Sequence, residues 1–559
     1  MLELGFWVSR YYGAHLGRTL DLMVPAAAKR REGRKTVRYA VRVTDAAADG
    51  KALSKKQAAV LAALEAAVGG LPVADCAKRA GCTAAVIGTL AKRGRLTIEA
   101  RPAPWTRAEP GVAPHEPPYE LNKDQQAAES RISAAVEQRT FSVQVLFGVT
   151  GSGKTEVYIR AIRRALDAGR QAIMLIPEIA LTTQTVRRLE QRFERVATIH
   201  SGLSGGRRAR TWEAIARGEA PVVIGTRSAV FAPCPDLGVI IVDEEAEPSF
   251  KSQAAPRYHT RDVAIKRAHL EGIPVVLGSA TPSLETWSNL KRRSHFHLIR
   301  MPHRVRGLPM PMVHLVDMRV EHRARRGVHL LSRAMELHLR DTLERKEQAV
   351  LLLNRRGYAG YLHCARCETV VTCPHCSVRM VLHQSTKLAH CHYCRARLAV
   401  PNRCPTLGCG GNLVRFGMGT ERVEEELKRK FPEARVRRID SDIMRRASDY
   451  ADLLGAFERR AFDILVGTQM VAKGLDFPFV SFVGVVSADT ALALDDFRSE
   501  ERTFQLVLQV SGRSGRGDAP GHVVVQTFSA DTAPIRHAVR GDYEAFARLE
   551  LDRRREAHL

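Results

Sequence analysis

The first residues whose types and spacing could do chemistry form a phosphate-binding loop. The segment reads Gly-Val-Thr-Gly-Ser-Gly-Lys-Thr, and it lies between a predicted strand and a predicted helix, as this loop requires. Inward-turned backbone N–H groups can surround phosphates, the Lys154 ammonium can reach the β- and γ-phosphates, and the Thr155 hydroxyl can ligate Mg²⁺. The residues expected to bind ATP here are Gly148, Val149, Thr150, Gly151, Ser152, Gly153, Lys154 and Thr155.

A run of carboxylates follows a later apolar segment. Residues Leu237 to Val242 are apolar and lead directly into Asp243, Glu244 and Glu245. Because ligands bind at the carboxyl ends of strands in open parallel sheets, we expect these carboxylates to lie near the phosphate loop. Asp243 would hold Mg²⁺, and Glu244 would orient and deprotonate the attacking water. An acidic cluster after a strand is otherwise often a helix N-terminus favoured by the helix dipole, but together with the loop it predicts a hydrolysis site.

Two arginines near the end of the chain indicate a second lobe that takes part in the chemistry. Arg513 and Arg516 follow a predicted helix within the segment Gln509 to Arg516. Arginines at this spacing could form a solvated surface face. In a two-lobed ATPase they instead reach across the cleft and stabilise the charge that develops on the γ-phosphate. ATP would then close the lobes and hydrolysis would reopen them.

Eight of the chain's 11 cysteines lie between Cys364 and Cys409. They form three C-x-x-C pairs and a looser fourth pair, namely Cys364/Cys367, Cys373/Cys376, Cys391/Cys394 and Cys404/Cys409. These thiolates can fill two tetrahedral Zn²⁺ sites and leave no position open for catalysis, so we expect structural zinc. The spacing favours the two inner pairs around one ion and the two outer pairs around the other. Nearby histidines that could replace a cysteine are interpreted as surface residues: His363, His375, His390 and His392.

Apolar strands that alternate with amphipathic helices must position these motifs. From about Tyr119 this pattern predicts parallel sheets covered by helices on both faces. The expected strands are Val143–Phe147, Ala172–Ile176, Val222–Ile224, Val239–Val242 and Val275–Leu277, and then Ala349–Leu353, Val436–Ile439, Ile464–Val466, Phe482–Val486 and His522–Gln526. The fold class is therefore α/β, with two RecA-like P-loop lobes and a zinc-binding insertion between the first and second strands of the second lobe.

A smaller helical unit precedes these lobes. Ser54 can cap one helix, a second helix follows Leu71-Pro72, and a third begins near Thr83. Residues 95–99 then alternate like a short strand. This order is typical of a winged helix, a fold that serves equally well as a DNA reader or as a protein docking module. The six prolines between residues 101 and 118 predict an extended linker after it.

The charge balance favours a polyanionic partner. The 559-residue chain has 86 Lys and Arg against 60 Asp and Glu, a formal net charge of +26, which promotes phosphate contacts and counterion release. The alternative is a set of solvated arginine faces. Since the first ten residues do not resemble a secretory signal and no apolar run has the length of a membrane span, we expect a cytoplasmic protein with reduced thiols and no membrane partner.

The ordered motifs resemble those of superfamily 2 helicases, and within that superfamily those of the primosomal replication-restart helicases. The resemblance covers residues 1 to about 550 and rests on Gly148–Thr155, Pro177–Ile179, Gly225–Ala229, Asp243–Glu245, Gly278–Pro282, Asn354–Tyr358 and Gln509–Arg516. In addition, Leu121–Gln125 resembles the adenine-sensing glutamine motif of the superfamily. The cysteines interrupt the second lobe where the family carries its zinc insertion.

The resemblance implies an ATP-dependent 3′-to-5′ DNA helicase that recognises forked DNA and promotes primosome assembly. It implies ATP, Mg²⁺ and two Zn²⁺ as cofactors, and forked, single-stranded and duplex DNA as substrates. Expected partners are primosome and helicase-loading proteins and the single-stranded DNA-binding protein, and the chain is expected to be a monomer. The implied catalytic residues are Lys154, Asp243, Glu244, Arg513 and Arg516, and the nucleotide-binding residues outside the phosphate loop are Gln125 and Asp476.

Some positions depart from the family's pattern. Ala246 stands where a histidine usually follows the two glutamates, and Leu475 replaces a common histidine. Both are expected near the nucleotide, so they bear on the coupling between DNA binding and hydrolysis. Relative to the family, the chain also looks short at both ends. The alternative interpretation is therefore a DNA-bound primosome assembly platform with weak or no helicase activity. An RNA helicase is disfavoured by the zinc insertion and the winged helix.

The expected division of the chain follows from these segments. It comprises a segment preceding the winged helix (1–49), a winged-helix-like domain (50–105), a proline-rich linker (106–118), lobe 1 (119–300), lobe 2 (301–361 and 414–540), the zinc-binding insertion (362–413) and a C-terminal helix (541–559).

Overall fold

The computed structural model describes most of the chain. The described residues are 1–29, 36–43, 52–67, 69–102, 119–178, 184–326, 329–353, 361–364, 367, 371–375, 380–383, 388–391, 394–416, 420–439, 447–468, 477, 479–492, 496–512, 514 and 521–559. No helix among them is long and apolar enough to cross a membrane. The predicted linker 106–118 lies outside the described residues.

The N-terminal segment packs on the first lobe. Its helices are α1 (Leu2–Tyr11), α2 (Leu16–Met23) and α3 (Ala26–Lys29). Leu4, Val8 and Met23 are buried in the same core as strands of that lobe. The Tyr12 hydroxyl accepts a hydrogen bond from the His259 backbone N–H at 3.1 Å. The segment expected only to precede the winged helix is thus part of the first lobe's packing.

A three-stranded antiparallel sheet and three helices follow. The elements are β1 (Thr36–Arg42), α4 (Lys55–Glu65), β2 (Leu71–Pro72), α5 (Val73–Arg79), α6 (Ala84–Lys92) and β3 (Leu96–Pro102). Strand β1 pairs along its whole length with β3. The Ser54 hydroxyl accepts from the Gln57 backbone N–H, which confirms the predicted cap of α4. Strand β1 was not predicted, because it buries only Ala40 fully and its partner lies far along the chain.

Lobe 1 is a seven-stranded parallel sheet covered by helices. Its elements are α7 (Lys123–Gln138), β4 (Ser142–Gly148), α8 (Lys154–Asp167), β5 (Gln171–Leu175), α9 (Gln184–Arg192), β6 (Val196–Ile199), α10 (Gly205–Ala216), β7 (Val222–Gly225), β8 (Leu237–Asp243), α11 (Thr260–Glu271), β9 (Pro274–Ser279), α12 (Leu284–Arg292) and β10 (Phe296–Met301). The strand order is β10-β4-β9-β8-β5-β7-β6. The five predicted strands are confirmed as the interior of this sheet, and the two edge strands were not predicted.

Lobe 2 is a six-stranded parallel sheet interrupted by the cysteine-rich insertion. The elements before the insertion are β11 (Met312–Asp317), α13 (Met318–Ala324), α14 (Arg333–Glu344) and β12 (Gln348–Leu353). The insertion contains β13 (Tyr361–Cys364), β14 (Val381–His383), β15 (Leu388–His390), β16 (Arg397–Ala399) and β17 (Leu413–Phe416). The elements after it are α15 (Thr420–Lys430), β18 (Val436–Ile439), α16 (Ala447–Glu458), β19 (Ile464–Gly467), β20 (Val480–Ser487), α17 (Asp489–Leu492), α18 (Ser499–Ser511), β21 (His522–Thr527), α19 (Ala533–Arg540) and α20 (Tyr543–Glu556). The strand order is β11-β21-β20-β12-β19-β18. The five predicted strands are confirmed, whereas the edge strand β11 was not predicted.

Aromatic side chains join the two lobes. The Tyr543 ring of lobe 2 lies 5.3 Å from the Phe147 ring and 5.0 Å from the Trp287 ring of lobe 1, measured between centroids. The Tyr543 hydroxyl donates a 2.6 Å hydrogen bond to the Pro282 carbonyl oxygen. Contacts of this kind, at favourable aromatic separations, bring the residues at the carboxyl ends of the lobe 1 strands close to lobe 2.

Candidate nucleotide and metal sites

The phosphate loop lies between β4 and α8, as predicted. Gly151 and Gly153 have φ values of +82° and +81°, in the left-handed region that favours glycine. The Lys154 ammonium donates a 2.7 Å hydrogen bond to the Gly148 carbonyl oxygen, so its side chain folds back over the loop. With the start of α8 adding its positive dipole, this curved backbone is a site for an anion such as phosphate.

Gln125 contacts the phosphate loop from α7. Its backbone N–H and side-chain oxygen form a capping box with Asn122, with both hydrogen bonds at 2.9 Å. This box directs the amide nitrogen of Gln125 toward the loop, where it donates to the Gly153 carbonyl oxygen at 3.4 Å. The predicted nucleotide-binding glutamine therefore lies beside the loop, and the rigid cap fixes its orientation.

Asp243 ends strand β8 next to the loop. The Tyr158 hydroxyl of α8 donates a 3.0 Å hydrogen bond to an oxygen of Asp243. Burial and the neighbouring Glu244 carboxylate raise the pKa of Asp243 to about 6, and the Lys154 charge and the Tyr158 hydrogen bond act against that rise. A Cβ atom at Gly278 would lie 1.6 Å from the Tyr158 hydroxyl oxygen, so only glycine leaves room for this contact.

Glu244 follows in a strained conformation. Its φ is +50°, a value that costs free energy for a residue with a side chain and that recurs at functional sites. Among the described residues, its Oε2 atom is buried and has no hydrogen-bond partner. A divalent cation or an ordered water would satisfy this oxygen. The adjacent carboxylates of Asp243 and Glu244 therefore fit Mg²⁺, which prefers oxygen ligands and retains several waters.

Glu245 is buried and connects β8 to the segment after β9. The Ser283 backbone N–H donates to Glu245 Oε1 at 2.6 Å. The hydroxyls of Ser283 and Thr286 donate to Oε2 at 3.2 and 3.1 Å, and Arg261 lies 3.4 Å away. No role was predicted for Glu245, although its place in the run of three carboxylates was a signal. Its contacts fix the start of α12 relative to the hydrolysis residues.

Lobe 2 contacts lobe 1 beside these groups. Glu501 of α18 accepts a 3.0 Å hydrogen bond from the Leu284 backbone N–H. At the end of α18, a Cβ atom at Gly512 would lie 2.3 Å from the Thr150 Cβ atom of the phosphate loop. The arginine-bearing segment therefore begins in direct contact with that loop. Glu501 was not singled out from the sequence, because an acidic residue in a helix has no local pattern that indicates such a contact.

Several predicted site residues lie outside the described residues. They are Arg513, Arg516, Asp476 and Cys376, and Leu475 is outside as well. Ser514, between the two arginines, is described, and its hydroxyl donates to the Ser481 carbonyl oxygen at 2.8 Å. Ala246 is partly buried directly after Glu245. The roles predicted for the two arginines and for Asp476 stay predictions.

The cysteines form two separate groups. In one group the sulfur atoms of Cys364, Cys367, Cys404 and Cys409 lie within 4.8 Å of one another. In the other, the described members are Cys373, Cys391 and Cys394. The sulfurs of Cys364 and Cys409 are 3.5 Å apart, far longer than a disulfide bond and close to the roughly 3.8 Å between ligands of a tetrahedral Zn²⁺. The grouping of outer and inner pairs agrees with the prediction, and the thiolates fit zinc.

Models of known protein families match the lobes and the insertion separately. The DEAD/DEAH box helicase model matches residues 123–290, and the helicase conserved C-terminal domain model matches residues 404–518. The model of the PriA DNA helicase Cys-rich region (CRR) domain matches residues 373–397. The first two ranges carry the phosphate loop, the three carboxylates and the contact helix α18, and the third carries the inner cysteines.

Similar proteins match over much longer spans. The Replication restart protein PriA of Bacillus subtilis is 44% identical over 87% of this chain, which spans 60% of that protein's length. The Replication restart protein PriA of Chlamydia pneumoniae is 36% identical over 99% of this chain and 75% of its own. A structure of RecG bound to a three-way DNA junction aligns with a TM-score of 0.44 at 17% identity, covering 76% of this chain and 47% of that one. Identity at these levels through both lobes and the insertion is that of a family member, and the chain belongs to the PriA family of replication restart proteins.

Proposed function

We propose that the chain is an ATP-dependent DNA helicase of replication restart that moves 3′ to 5′ and opens forked DNA. The observation that carries the proposal is the contact between Gly512 of lobe 2 and Thr150 of the phosphate loop. A nucleotide bound at that loop lies where the two lobes meet. Binding and hydrolysis can therefore change the separation of the lobes. The polarity and the preference for forks are properties of the family.

The described residues have separate tasks in this reaction. The Lys154 ammonium, held over the loop at Gly148, binds the β- and γ-phosphates. Asp243 holds Mg²⁺, which when bound neutralises charge on the phosphates. Glu244, with a buried and unpartnered carboxylate oxygen among the described residues, orients the attacking water and accepts its proton. Gln125, fixed by its capping box against Gly153, contacts the adenine end of the nucleotide.

The arginines after α18 act from the second lobe. Arg513 directly follows Gly512 and Arg516 comes four residues after it, and Gly512 lies against the phosphate loop. We assign Arg516 the stabilisation of charge on the γ-phosphate, since a planar guanidinium supplies several donors in a fixed fork. Closure of the lobes around ATP brings this group to the phosphate. Asp476 completes the nucleotide site from the same lobe.

DNA is the partner that the charge and the family favour. A formal net charge of +26 supports binding to forked, single-stranded and duplex DNA through phosphate contacts. The similar proteins are named for replication restart, which supports action with primosome, helicase-loading and single-stranded DNA-binding proteins. We propose that the chain acts as a monomer.

Replacing the lysine of the phosphate loop tests whether this loop is the site of ATP hydrolysis. We expect Lys154→Ala to lose nearly all DNA-stimulated ATP hydrolysis while keeping its affinity for forked DNA, because the lysine contacts phosphates of the nucleotide and not the strand. Phosphate release and fork binding are measured on the same preparation. Lys428→Ala, which removes an exposed lysine that forms an ion pair with Glu424, is the matched control and should behave as the unaltered chain does. Hydrolysis in Lys154→Ala at the control's rate would exclude this loop as the ATP site.

Removing one hydroxyl tests the environment of Asp243. In Tyr158→Phe the carboxylate loses a hydrogen bond that stabilises its charged form, so the pKa of Asp243 rises further above its ordinary value. Because Mg²⁺ binds the charged form, we expect the acid limb of the pH–rate profile to move to higher pH, by about one unit for a contact of about 1.5 kcal/mol.

The loss of activity should be largest at acidic pH and should disappear at alkaline pH, where Asp243 is charged in both proteins. Tyr11→Phe removes an exposed hydroxyl from α1 and serves as the control. An acid limb that coincides in all three proteins would show that the Tyr158 contact does not set this ionisation.

Metal analysis tests the insertion. We expect the insertion to hold two Zn²⁺ per chain, and we expect Cys364→Ser and Cys373→Ser each to reduce the ion count by one, because the two thiolates belong to different groups. Elemental analysis after gel filtration counts the ions. Cys82→Ser, outside the insertion, should leave the count unchanged. One ion in the unaltered, metal-replete chain, or the loss of both ions from a single variant, would contradict two independent sites.

A further inference from the structure

Three histidines of lobe 2 come together away from every site described so far. His314 lies in the edge strand β11, His522 begins the adjacent strand β21, and His338 lies in the middle of α14, which packs on that part of the sheet. One side-chain nitrogen from each lies within 4.8 Å of the other two. The three residues are 24 and 184 positions apart along the chain, so only the fold places them together.

The spacing of the rings is close to that of three ligands of one ion, although the plane of the His522 ring is inclined by only 19° to His314 and 27° to His338. Their centroids are separated by 5.2 Å for His314 and His338, 4.8 Å for His338 and His522, and 6.0 Å for His314 and His522. With a Zn–N bond of about 2.0–2.1 Å, the rings of a tetrahedral site have centroids about 5 Å apart and ligand nitrogens about 3.4 Å apart. Because the lone pairs of nearly parallel rings do not converge, binding needs rotations that turn the three rings toward a common point and draw their nitrogens together by about an ångström.

The surroundings of the cluster suit a neutral imidazole donor set. Burial, followed by the charges of neighbouring histidines, lowers the pKa of His338 and of His522. Neutral imidazole is the form that binds metal. Asp341, one turn further along α14, is the negative group that faces these two histidines, and Arg345 is the positive group. His522 Nδ1 is buried and has no hydrogen-bond partner in the part of the chain that the structure describes.

We propose that His314, His338 and His522 form a binding site for a divalent transition-metal ion such as Zn²⁺. Imidazole nitrogens suit zinc, nickel and copper, whereas magnesium and calcium prefer oxygen ligands. An ion at this site ties the edge strand β11 to β21 and α14. Strand β11 is the first element of lobe 2 after lobe 1, and β21 is its neighbour in the sheet. The ion therefore anchors the point where the chain enters lobe 2.

The site is separate from both predicted cofactor sites. His522 is the first residue of β21, and its neighbours across the sheet are Met312 and Phe482 near the starts of β11 and β20. The nucleotide residues follow the carboxyl ends of strands, and the cysteine insertion begins after the carboxyl end of β12. The histidines thus lie at the opposite end of the lobe 2 sheet.

Metal binding to the zinc-replete chain tests the proposal. The cysteine sites are first saturated with Zn²⁺, Zn²⁺ held outside them is removed with a chelator too weak to strip thiolate-bound Zn²⁺, the chelator is removed by gel filtration, and Co²⁺ is then added as the probe. We expect one further ion per chain, with the weak visible d–d absorption of nitrogen ligation and without the intense near-ultraviolet bands of thiolate ligation. We also expect Co²⁺ or Zn²⁺ to raise the melting temperature of the chain through binding to the folded state.

Two variants and one control make the test decisive. His314→Ala replaces the exposed member and is therefore the variant that disturbs the core least, and His338→Ala removes the member on α14. Both should lose the additional ion, the visible spectrum and the metal-dependent rise in melting temperature, and should retain DNA-stimulated ATP hydrolysis. His558→Ala, an exposed histidine beyond α20, should retain all three metal responses. An equal number of ions in His314→Ala and the unaltered chain, or no additional ion in either, would overturn the proposal.

Discussion

The carboxylate of Glu245 accepts hydrogen bonds from the backbone N–H and the hydroxyl of Ser283, and the geometry of the cleft depends on this contact. Glu245 is completely buried, and burial raises the pKa of its carboxyl. A buried carboxylate is tolerated because donors surround it, and removal of one partner from such a group typically costs about 3–5 kcal/mol. The contact therefore holds the end of β8, with Asp243 and Glu244, in a fixed relation to the start of α12.

The second lobe attaches to the residue next to Ser283. The Leu284 backbone N–H donates to Glu501 of α18, and Glu501 is held in turn by Arg554 of α20 at 2.9 Å. A displacement of Asp243 and Glu244 moves Ser283 through Glu245, and Leu284 must follow because it is adjacent in the chain. The same helix α18 ends at Gly512 against the phosphate loop. Lobe 2 thus contacts both the phosphate loop and the segment that Glu245 positions.

Residues that act through a local pattern could be predicted from the sequence, and residues that act through a tertiary contact could not. Lys154 and Asp243 stand in recognisable segments, and the cysteine grouping follows from pairs that each supply two neighbouring ligands. Tyr158 and Glu501 have no such signature, since their partners come from other elements. The histidine cluster of β11, β21 and α14 was not predicted for the same reason, because its three members come from different elements. Among the strands, the apolar interior ones and the edge strand β18 were predicted, but β11 was not, because β11 is only partly buried and lacks a continuous apolar run.

Hydrogen exchange at two adjacent amides tests the link between the cleft and the lobes most directly. The Ser283 amide is bonded to Glu245 of its own lobe, whereas the Leu284 amide is bonded to Glu501 of the other. Residue-resolved exchange is compared for the nucleotide-free chain and for the chain with DNA and a non-hydrolysable ATP analogue. We expect the Ser283 amide to stay protected in both states, and the Leu284 amide to exchange more slowly when the analogue holds the lobes together. Equal exchange of Leu284 with and without the analogue, or loss of protection at Ser283 together with Leu284, would contradict this account.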